Sequence, residues 1–402
     1  MATAFTVTVM PSGGDYSTLN AAMVANECNL TAAATKVFAH SAITGTMSDN
    51  TAVTGLTSGA TGTCVHCSAT QILIKSIVGT FQSGEIVYET LSVNLVTIND
   101  AGASPYLNLS IDGTWSSPDT TAVTITGYTT SATNYINIAT TATARHNGTV
   151  SQGYMLYVTG GNCLQTGANY IYITGLIVKV NQVHYAGYIG IYIGTSGAGA
   201  VAYVSKNIVL GDGSTTNRSN SHGIHIQRGT GYIWNNIIYN LLDIGNNGSG
   251  IVMGAAYTIN AFIYNNTIYS SCNGITGSNA TTPVLKNNLC TNNSNKDYNY
   301  SVTLGTSSTN NLSGDGTCPA LGTYYANATV TFVNAAGGNF NLASNDTGAT
   351  GKGADLSADA NQAFPDDIIG TTRTVPWDIG AFKAPVSATG IMNLKTGWWG
   401  DL

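Results

Sequence analysis

Tyr232-Ile233-Trp234-Asn235-Asn236-Ile237-Ile238 is one of four versions of a short apolar phrase that decides the fold. The other versions are Tyr203-Val204-Ser205-Lys206-Asn207-Ile208-Val209, Phe262-Ile263-Tyr264-Asn265-Asn266-Thr267-Ile268 and Val284-Leu285-Lys286-Asn287-Asn288-Leu289-Cys290. Their aligned asparagines, Asn207, Asn236, Asn266 and Asn288, are 29, 30 and 22 residues apart. This spacing is typical of stacked solenoid coils rather than of a closed globular core.

A second apolar segment recurs between these phrases and predicts another strand in each coil. Its versions are Gly190-Ile191-Tyr192-Ile193, Gly223-Ile224-His225-Ile226, Gly250-Ile251-Val252-Met253 and Gly274-Ile275-Thr276. Alternate apolar residues can face one interior while the residue between them points outward. A coil of this size cannot bury its apolar face alone, so neighbouring coils must pair edge to edge. We therefore predict coils with at least two strands each, joined by an asparagine ladder that passes amide hydrogen bonds from coil to coil.

The two ends of the chain carry a family resemblance. A strand over residues 5–9 precedes a short helix, capped by Asp15 or Ser17, which would plug the open end of the solenoid core. The segment over residues 13–19, Gly-Gly-Asp-Tyr-Ser-Thr-Leu, resembles the start of pectate-lyase-like right-handed parallel β-helix proteins. Residues 377–382, Trp-Asp-Ile-Gly-Ala-Phe, are similar to the closing phrase of that family, although Lys383 departs from its usual acidic ending.

The resemblance implies an all-β chain that folds as a right-handed parallel β-helix, a solenoid with an N-terminal cap, a small insertion and a C-terminal extension. The predicted organisation is an N-terminal cap with the first strands over 1–44, a small β-rich insertion over 45–90, the parallel β-helix over 91–339, its closing segment over 340–384, and an apolar tail over 385–402. The Gly- and Thr-rich phrases of the insertion look like small β modules that recur in tailed-phage structural proteins.

Composition limits the classes of function. Only 8% of the 402 residues are charged, and the net charge of −6 argues against nonspecific binding to nucleic acid or anionic membranes. The sequence contains no run of about 18 apolar residues, so no membrane-spanning helix is predicted. The N-terminus lacks the features of a secretory signal, so we expect synthesis without export or a trimmed signal. The seven scattered cysteines are expected to be mostly free core residues.

A group of polar residues in the longest excursion between coils is the candidate glycan-binding or hydrolytic patch. It comprises Asp212, Arg218, His222, His225 and Arg228. His225 lies between two isoleucines and is expected to face outward with Arg228 on the same flank. Outward aromatic residues that could stack on sugar rings, or lie at a subunit interface, are Tyr192, Trp234, Tyr264 and Tyr269. The alternative is a solvated loop with incidental charges.

Catalytic and metal chemistry find weaker support. The acids of the central coils, Asp212, Asp243 and Asp297, share no register, so neither a lyase site nor a pair of hydrolytic carboxylates can be placed. The segment Cys64-Val65-His66-Cys67 has zinc-binding residue types, but a single Cys-x-x-Cys without a second pair favours hairpin side chains or a local redox pair. We expect no cofactor and no metal, and whether the chain is an enzyme stays open.

Three functions compete. The first is a noncatalytic virion component of a tailed phage, such as a tail spike, fibre or capsid surface protein, that binds host glycan or other virion proteins and is released by lysis. The second is a polysaccharide lyase or hydrolase, and the third is a bacterial surface adhesin. A homo-oligomer, with a trimer favoured, is expected. The tail, with Leu394, Trp398 and Trp399, would either dock on a neighbouring subunit or virion protein or fold back on its own solenoid.

Overall fold

The computed structural model describes residues 1–182, 187–194, 199–213, 220–254, 257, 259–278 and 282–385. The chain is all-β, with 43% of residues in strands and 3% in helices. Three long sheets contain most of the strands, and every strand pair described within them is parallel. This arrangement is consistent with a stack of coils.

Each sheet gathers one strand from successive passages of the chain. The first sheet contains, in spatial order, Thr3–Val9, Pro105–Ile111, Ile136–Thr140, Ile171–Thr174, Val201–Ser205, Gly229–Trp234, Ile259–Tyr264 and Val284–Lys286. The second contains Met155–Val158, Ile177–Val180, Ile208–Gly211, Ile237–Tyr239, Thr267–Tyr269, Leu289–Thr291, Asn311–Ser313 and Tyr324–Tyr325. The third contains Val123–Ile125, Leu164–Thr166, Ile189–Ile193, His222–Ile226, Ser249–Met253, Asn273–Gly277 and Lys296–Tyr300.

One repeat illustrates the path of the chain. It runs from Val201–Ser205 in the first sheet through Ile208–Gly211 in the second to His222–Ile226 in the third, and then returns to the first sheet at Gly229–Trp234. Each repeat therefore has three strands, and the recurring phrase contributes two of them, joined by a corner. Alternate residues of all three sheets point inward and form one continuous apolar core.

The corner between the first and second sheets uses two consecutive residues for two different purposes. The first corner residue has left-handed backbone geometry in all four phrases, at Lys206, Asn235, Asn265 and Asn287, with φ between 50° and 56°. Asparagine is among the residues that tolerate this conformation best, whereas a lysine adopts it at a cost. The second corner residue is the aligned asparagine, whose side chain points into the stack and is completely buried.

The buried asparagines form a hydrogen-bonded ladder along the corner. Asn207 donates from Nδ2 to Asn236 Oδ1 at 3.1 Å, and the same oxygen accepts from the backbone N–H of Asn207 at 3.0 Å. The pattern repeats from Asn236 to Asn266 and from Asn266 to Asn288. It then extends to Asn311, which lies 23 residues further along the chain and outside the four phrases. Each step satisfies buried amides that the sharp corner would otherwise leave unpaired.

The N-terminal helix spans Leu19–Ala25 and buries Leu19, Ala22 and Met23 against the first coils. The predicted cap residue is wrong. The cap is Thr18, whose side chain accepts a hydrogen bond from the backbone N–H of Ala21 at 3.2 Å. Asp15 instead accepts from the backbone N–H and the hydroxyl of Thr8, so its carboxylate fixes the turn that precedes the helix.

A closed six-stranded barrel lies in the chain between the N-terminal helix and Pro105–Ile111, the second strand of the first sheet. Its strands, in spatial order, are Lys36–Thr44, Gln71–Val78, Thr61–Cys67, Thr51–Gly55, Ile86–Thr90 and Asn94–Ile98. The barrel has its own apolar core and extends beyond the 45–90 range of the predicted insertion on both sides. The Gln71 side chain donates to the carbonyl of Ala4 and accepts from the N–H of Thr6, so the barrel covers the free edge of the first strand.

The C-terminal segment runs along the outside of the stack. It begins with a hairpin of Phe332–Asn334 and Asn339–Leu342, joined by a short 3-10 helix at Ala335–Gly337. Apolar side chains of the segment, including Phe340, Ile368 and Phe382, then pack against outward-facing isoleucines of the second sheet. Arg373 lies buried beneath this segment, where its guanidinium donates to the carbonyls of Gly380 and Ala381 and to Asn235 Oδ1.

Candidate functional site

The outer face of the third sheet presents a straight row of side chains, one from each strand. Strand register aligns Thr124, Gln165, Tyr192, His225, Val252, Thr276 and Asn299. The row follows directly from the alternation that sends the neighbouring isoleucines into the core. It therefore places side chains from sequence-distant repeats at successive positions along one surface.

A groove of about 580 Å³ lies over the later half of this row. It crosses four strands, and its lining comprises His225, Gln227, Val252, Met253, Gly254, Thr276, Gly277, Ser278, Asn299, Tyr300 and Ser301. Hydroxyl and amide groups alternate there with apolar surface. The described lining residues are all uncharged when the imidazole is neutral. Such a surface suits a ligand that is rich in hydrogen-bonding groups and has no net charge.

Two imidazoles lie at one end of the groove. The ring centroids of His222 and His225 are 5.5 Å apart, and Tyr192 lies 5.1 Å from His225 on the other side. His222 Nδ1 is buried and has no hydrogen-bond partner among the described residues, whereas the buried ring of His225 has the Gln227 side chain beside it as a partner with poor hydrogen-bond geometry. Burial lowers the pKa of both imidazoles to about 4, so both are neutral at pH 7. Each neutral ring carries one donor and one acceptor nitrogen.

The structure separates the other residues of the predicted patch. Arg228 lies close to these imidazoles in sequence, and its guanidinium carbon is 3.7 Å from the centroid of the Tyr257 ring, in cation–π geometry. Asp212 lies where the second-sheet strand ends and accepts hydrogen bonds from the backbone N–H of Gln182 and from the Asn181 amide. Arg218, like the tail residues Leu394, Trp398 and Trp399, lies outside the described residues.

Trp234 and Tyr264 lie on the outer face of the first sheet, but the C-terminal segment covers that face, so the expectation that Tyr264 is accessible to a sugar is wrong. Tyr264 is fully buried, and both residues belong to a cluster with Leu356, Phe364 and Trp377 of the C-terminal segment. Trp234 lies on the first sheet and not beside His225. Strand alternation places both side chains on the outer face, but alternation alone cannot reveal that a segment about 100 residues away covers them.

Sequence reasoning missed an aromatic ladder on the first sheet. Tyr172, Tyr203, Tyr232 and Phe262 stack face to face, with centroid separations of 4.3, 4.7 and 5.0 Å and interplanar angles of 6°, 5° and 14°. The signal was present, because three of the four phrases begin with an aromatic residue. Each inner ring has both faces in contact with its neighbours. The ladder therefore stabilises the stack, and its inner rings, Tyr203 and Tyr232, offer no free face on which a sugar could lie.

The acids named from the sequence serve local structure. Asp243 accepts from three backbone N–H groups of its own loop, at Gly245, Asn247 and Gly248. Asp297 accepts from the Asn293 amide and the N–H of Gly314, and burial raises its pKa to about 6.

The Cys-x-x-Cys segment lies in the barrel wall. Cys64 is buried in the barrel core, whereas Cys67 Sγ lies 3.5 Å from His40 Nε2. Burial raises the pKa of the Cys67 thiol to about 12, which opposes the thiolate that zinc needs. Across the described residues, no group of three or more His, Cys, Asp or Glu could hold a metal ion. All seven cysteines are free.

His66 of the same segment forms an ion-pair cluster between the barrel and the N-terminal turn. Its Nδ1 lies 2.7 Å from Asp49 Oδ1, and its Nε2 lies 3.6 Å from Asp15 Oδ1. The Tyr16 hydroxyl donates to Asp49 Oδ2 at 2.5 Å. Burial lowers the pKa of His66, but the two carboxylates outweigh burial and raise it to about 9. The cluster fastens the two parts of the chain together.

Comparison with protein-family models, curated proteins and solved structures gives no match to this chain. Among the described residues, neither helix has the length and apolar character needed to cross a membrane. The groove on the third sheet therefore has to be interpreted from its own geometry.

Proposed function

We propose that this chain is a right-handed parallel β-helix that serves as a noncatalytic host-recognition component of a phage virion and binds glycan in the third-sheet groove. The observation that carries the glycan proposal is the groove itself, which crosses four strands and is lined by uncharged polar and apolar side chains. The solenoid proposal is supported by three parallel sheets that each take one strand from successive repeats. The resemblances at both ends of the chain support the same family.

The groove lining has the chemistry that sugars require. Gln227, Thr276 and Asn299 supply hydroxyl and amide groups, which pair with sugar hydroxyls as donors and acceptors. Val252 and Tyr300 supply apolar surface for the C–H faces of a pyranose ring. Because the strands are successive, the polar groups recur along the stack, which suits a linear polymer better than a compact small molecule.

The virion proposal rests on the resemblance of the Gly- and Thr-rich barrel phrases to phage modules and on the recognition role that a glycan groove would serve. In this proposal three copies of the protein form a homotrimer, and the trimer binds other virion proteins. A bacterial surface adhesin would use the same groove chemistry, so the place where the protein is found distinguishes the virion proposal from the adhesin proposal. Electron microscopy of phage particles labelled with an antibody against this chain would support the virion proposal if label decorates the particles. Label found only on bacterial surfaces would contradict it.

Glycan binding is tested by filling the groove. The purified protein is screened against immobilised neutral oligosaccharides, and the affinity of each hit is measured by calorimetry. We expect Thr276→Trp to abolish binding, because the bulky ring occupies the centre of the groove, and Asn299→Ala to weaken it by about tenfold, as the loss of one or two hydrogen bonds implies. The matched control is Thr124→Ala, which alters the same row of the sheet outside the groove lining. Equal binding by Thr276→Trp and wild type would contradict the proposal.

One observation favours a second candidate, a polysaccharide hydrolase. Asp315 and the completely buried Asp297 belong to the lining of another groove, and Asp315 Oδ2 accepts the backbone N–H of Asp297 at 2.9 Å. Burial raises the pKa of Asp297, whereas hydrogen bonds from Thr317 help to lower the pKa of Asp315 despite an opposing effect of burial. Two carboxyl groups with pKa values moved apart are the arrangement of a general acid and its partner. Release of reducing ends that disappears in Asp297→Asn and in Asp315→Asn would favour hydrolysis over simple binding.

A further inference from the structure

The aromatic ladder places the phenol rings of successive coils in register on the outer face of the first sheet. Strand pairing sets Tyr172 directly opposite Tyr203, and Tyr203 directly opposite Tyr232. The ring centroids of Tyr172 and Tyr203 are 4.3 Å apart, the shortest separation in the ladder, and the rings are 6° from parallel. All three side chains are half-buried, because strand alternation sends their neighbours into the core instead. The rims of the rings therefore remain in reach of small reagents.

The hydroxyl groups of Tyr172 and Tyr203 also lie side by side. Each phenol acts on the pKa of the other as a hydrogen-bond neighbour, with effects of opposite sign on the two groups. Two nearly parallel rings whose hydroxyl groups are neighbours run in the same direction. Each Cε atom of one ring, ortho to the hydroxyl, therefore faces a Cε atom of the other ring. Tyr232 stacks on the opposite face of Tyr203 at 4.7 Å, which makes it the more distant partner.

We propose that Tyr172 and Tyr203 form a covalent modification site, at which a one-electron oxidant joins two coils through a dityrosine link. The oxidant takes one electron from each phenol, and each phenol releases its hydroxyl proton to water. The two phenoxyl radicals then pair their unpaired electrons in a new carbon–carbon bond between facing Cε atoms. Each of these carbons loses its hydrogen as a proton, and a proton returns to each oxygen, which restores two phenols. With a haem peroxidase as the oxidant, two phenols and one hydrogen peroxide give one dityrosine and two water molecules.

The fold selects this pair of rings by proximity and orientation. Phenoxyl radicals couple only when two rings meet, and strand register holds Tyr172 and Tyr203 in contact. The two hydroxyl groups of dityrosine flank the new bond, so a pair with neighbouring hydroxyl groups needs little movement. Tyr135 also contacts Tyr172, but its ring is turned by 63°, and Phe262 ends the ladder without a phenol. The link would constrain the unfolded chain as a disulfide does, in a protein whose seven cysteines are all free.

Photo-oxidation with tris(bipyridyl)ruthenium(II) and persulfate tests the proposal, because both reagents are small and persulfate accepts the two electrons. Trypsin cuts after Arg145, Lys179 and Lys206, so the link joins peptide 146–179 to peptide 180–206 with the loss of two hydrogen atoms. Mass spectrometry of mixed unlabelled and heavy-isotope-labelled protein separates links within one chain from links between chains. We expect about tenfold more joined peptide from folded protein than from protein in urea, because only the fold holds the two rings together.

Two single-atom substitutions identify the tyrosines that react. Tyr203→Phe keeps an aromatic ring in the stack but removes the phenol, so the joined peptide should disappear. The matched control, Tyr188→Phe, removes a phenol from the same tryptic peptide just before the third-sheet strand Ile189–Ile193, and it should keep the wild-type yield. Circular dichroism and thermal melting establish that both variants are folded. Fragmentation of the joined peptide should place the link at Tyr172 and Tyr203.

Three results would overturn the proposal. The first is as much joined peptide from Tyr203→Phe as from wild type, and the second is a link that connects different chains. The third is a yield from folded wild type no greater than from protein in urea, under conditions that couple free N-acetyltyrosine. None of these results depends on glycan binding, so the modification site and the proposed function stand or fall separately.

Discussion

Replacing Asn236 by alanine removes a central link of the asparagine ladder, and we expect a loss of about 4 kcal/mol in the free energy of unfolding. The Asn236 side chain accepts from the backbone N–H and from Nδ2 of Asn207, and it donates to the carbonyl of Val204 and to Asn266 Oδ1. Without it, the buried N–H of Asn207 loses its acceptor, at about 1–3 kcal/mol. The other three groups lose one bond each, at about 0.5–1.5 kcal/mol, so the loss lies between about 2.5 and 7.5 kcal/mol, and partial relaxation of the corner keeps it below the midpoint, at about 4 kcal/mol.

Urea unfolding followed by far-ultraviolet circular dichroism measures this loss, provided that the dependence of the free energy on urea is unchanged. The matched control is Asn260→Ala, since Asn260 is exposed on the outer face of the strand Ile259–Tyr264. That substitution should alter stability by less than about 0.5 kcal/mol. A loss for Asn236→Ala no greater than for Asn260→Ala would refute the claim that the ladder stabilises the corner.

Three further substitutions test other contacts. His66→Ala should lower the free energy of unfolding most below about pH 6.5, and the loss should shrink as pH rises through about 9, because Asp15 and Asp49 favour the protonated imidazole in the folded state. Urea unfolding at pH 6 and at pH 10 measures the two losses. Equal losses at both pH values would contradict this prediction. Arg373→Met should leave the buried carbonyls of Gly380 and Ala381 unpaired, so limited proteolysis should cleave the C-terminal segment faster than in wild type. An unchanged cleavage rate would contradict this prediction. Tyr203→Ala should lower the free energy of unfolding by about 1–3 kcal/mol, because it removes two ring contacts and buried apolar area. Glycan affinity should not change, and an altered affinity would implicate the aromatic ladder in binding.

The stacking of coils can be predicted from the sequence because the features that produce it lie within single repeats. Period-two alternation and the recurring asparagines are both visible in single phrases. The third strand of each repeat is harder to see, since the corner at Lys206-Asn207 interrupts the alternation and makes two strands resemble one. Closure of the barrel over Lys36–Thr44 to Asn94–Ile98 depends on pairing between strands distant in the chain, which single-strand patterns do not encode.

The candidate site was predicted in part. His225 follows from alternation, whereas Gln227 and Gly254 do not, because their place in the lining of one groove depends on the register between neighbouring strands. Tyr264 was placed on the correct face of its strand but with the wrong exposure, since the C-terminal segment covers that face. Residues of the site are thus predictable where one strand determines them. They are hidden where a second strand or a distant segment does.

The irregular spacing of the asparagines identifies which part of each coil is free to vary. The connection from the second to the third sheet shortens from nine residues, 240–248, to three, 270–272, between successive coils, while the corner in each of the four recurring phrases keeps two residues. A buried ladder cannot accept an insertion without breaking its hydrogen bonds, so length changes accumulate beside the third sheet instead. The groove lies on that sheet. A rigid corner on one side of each coil therefore permits variable loops around the proposed recognition surface on the other, as adaptation to different glycans would require.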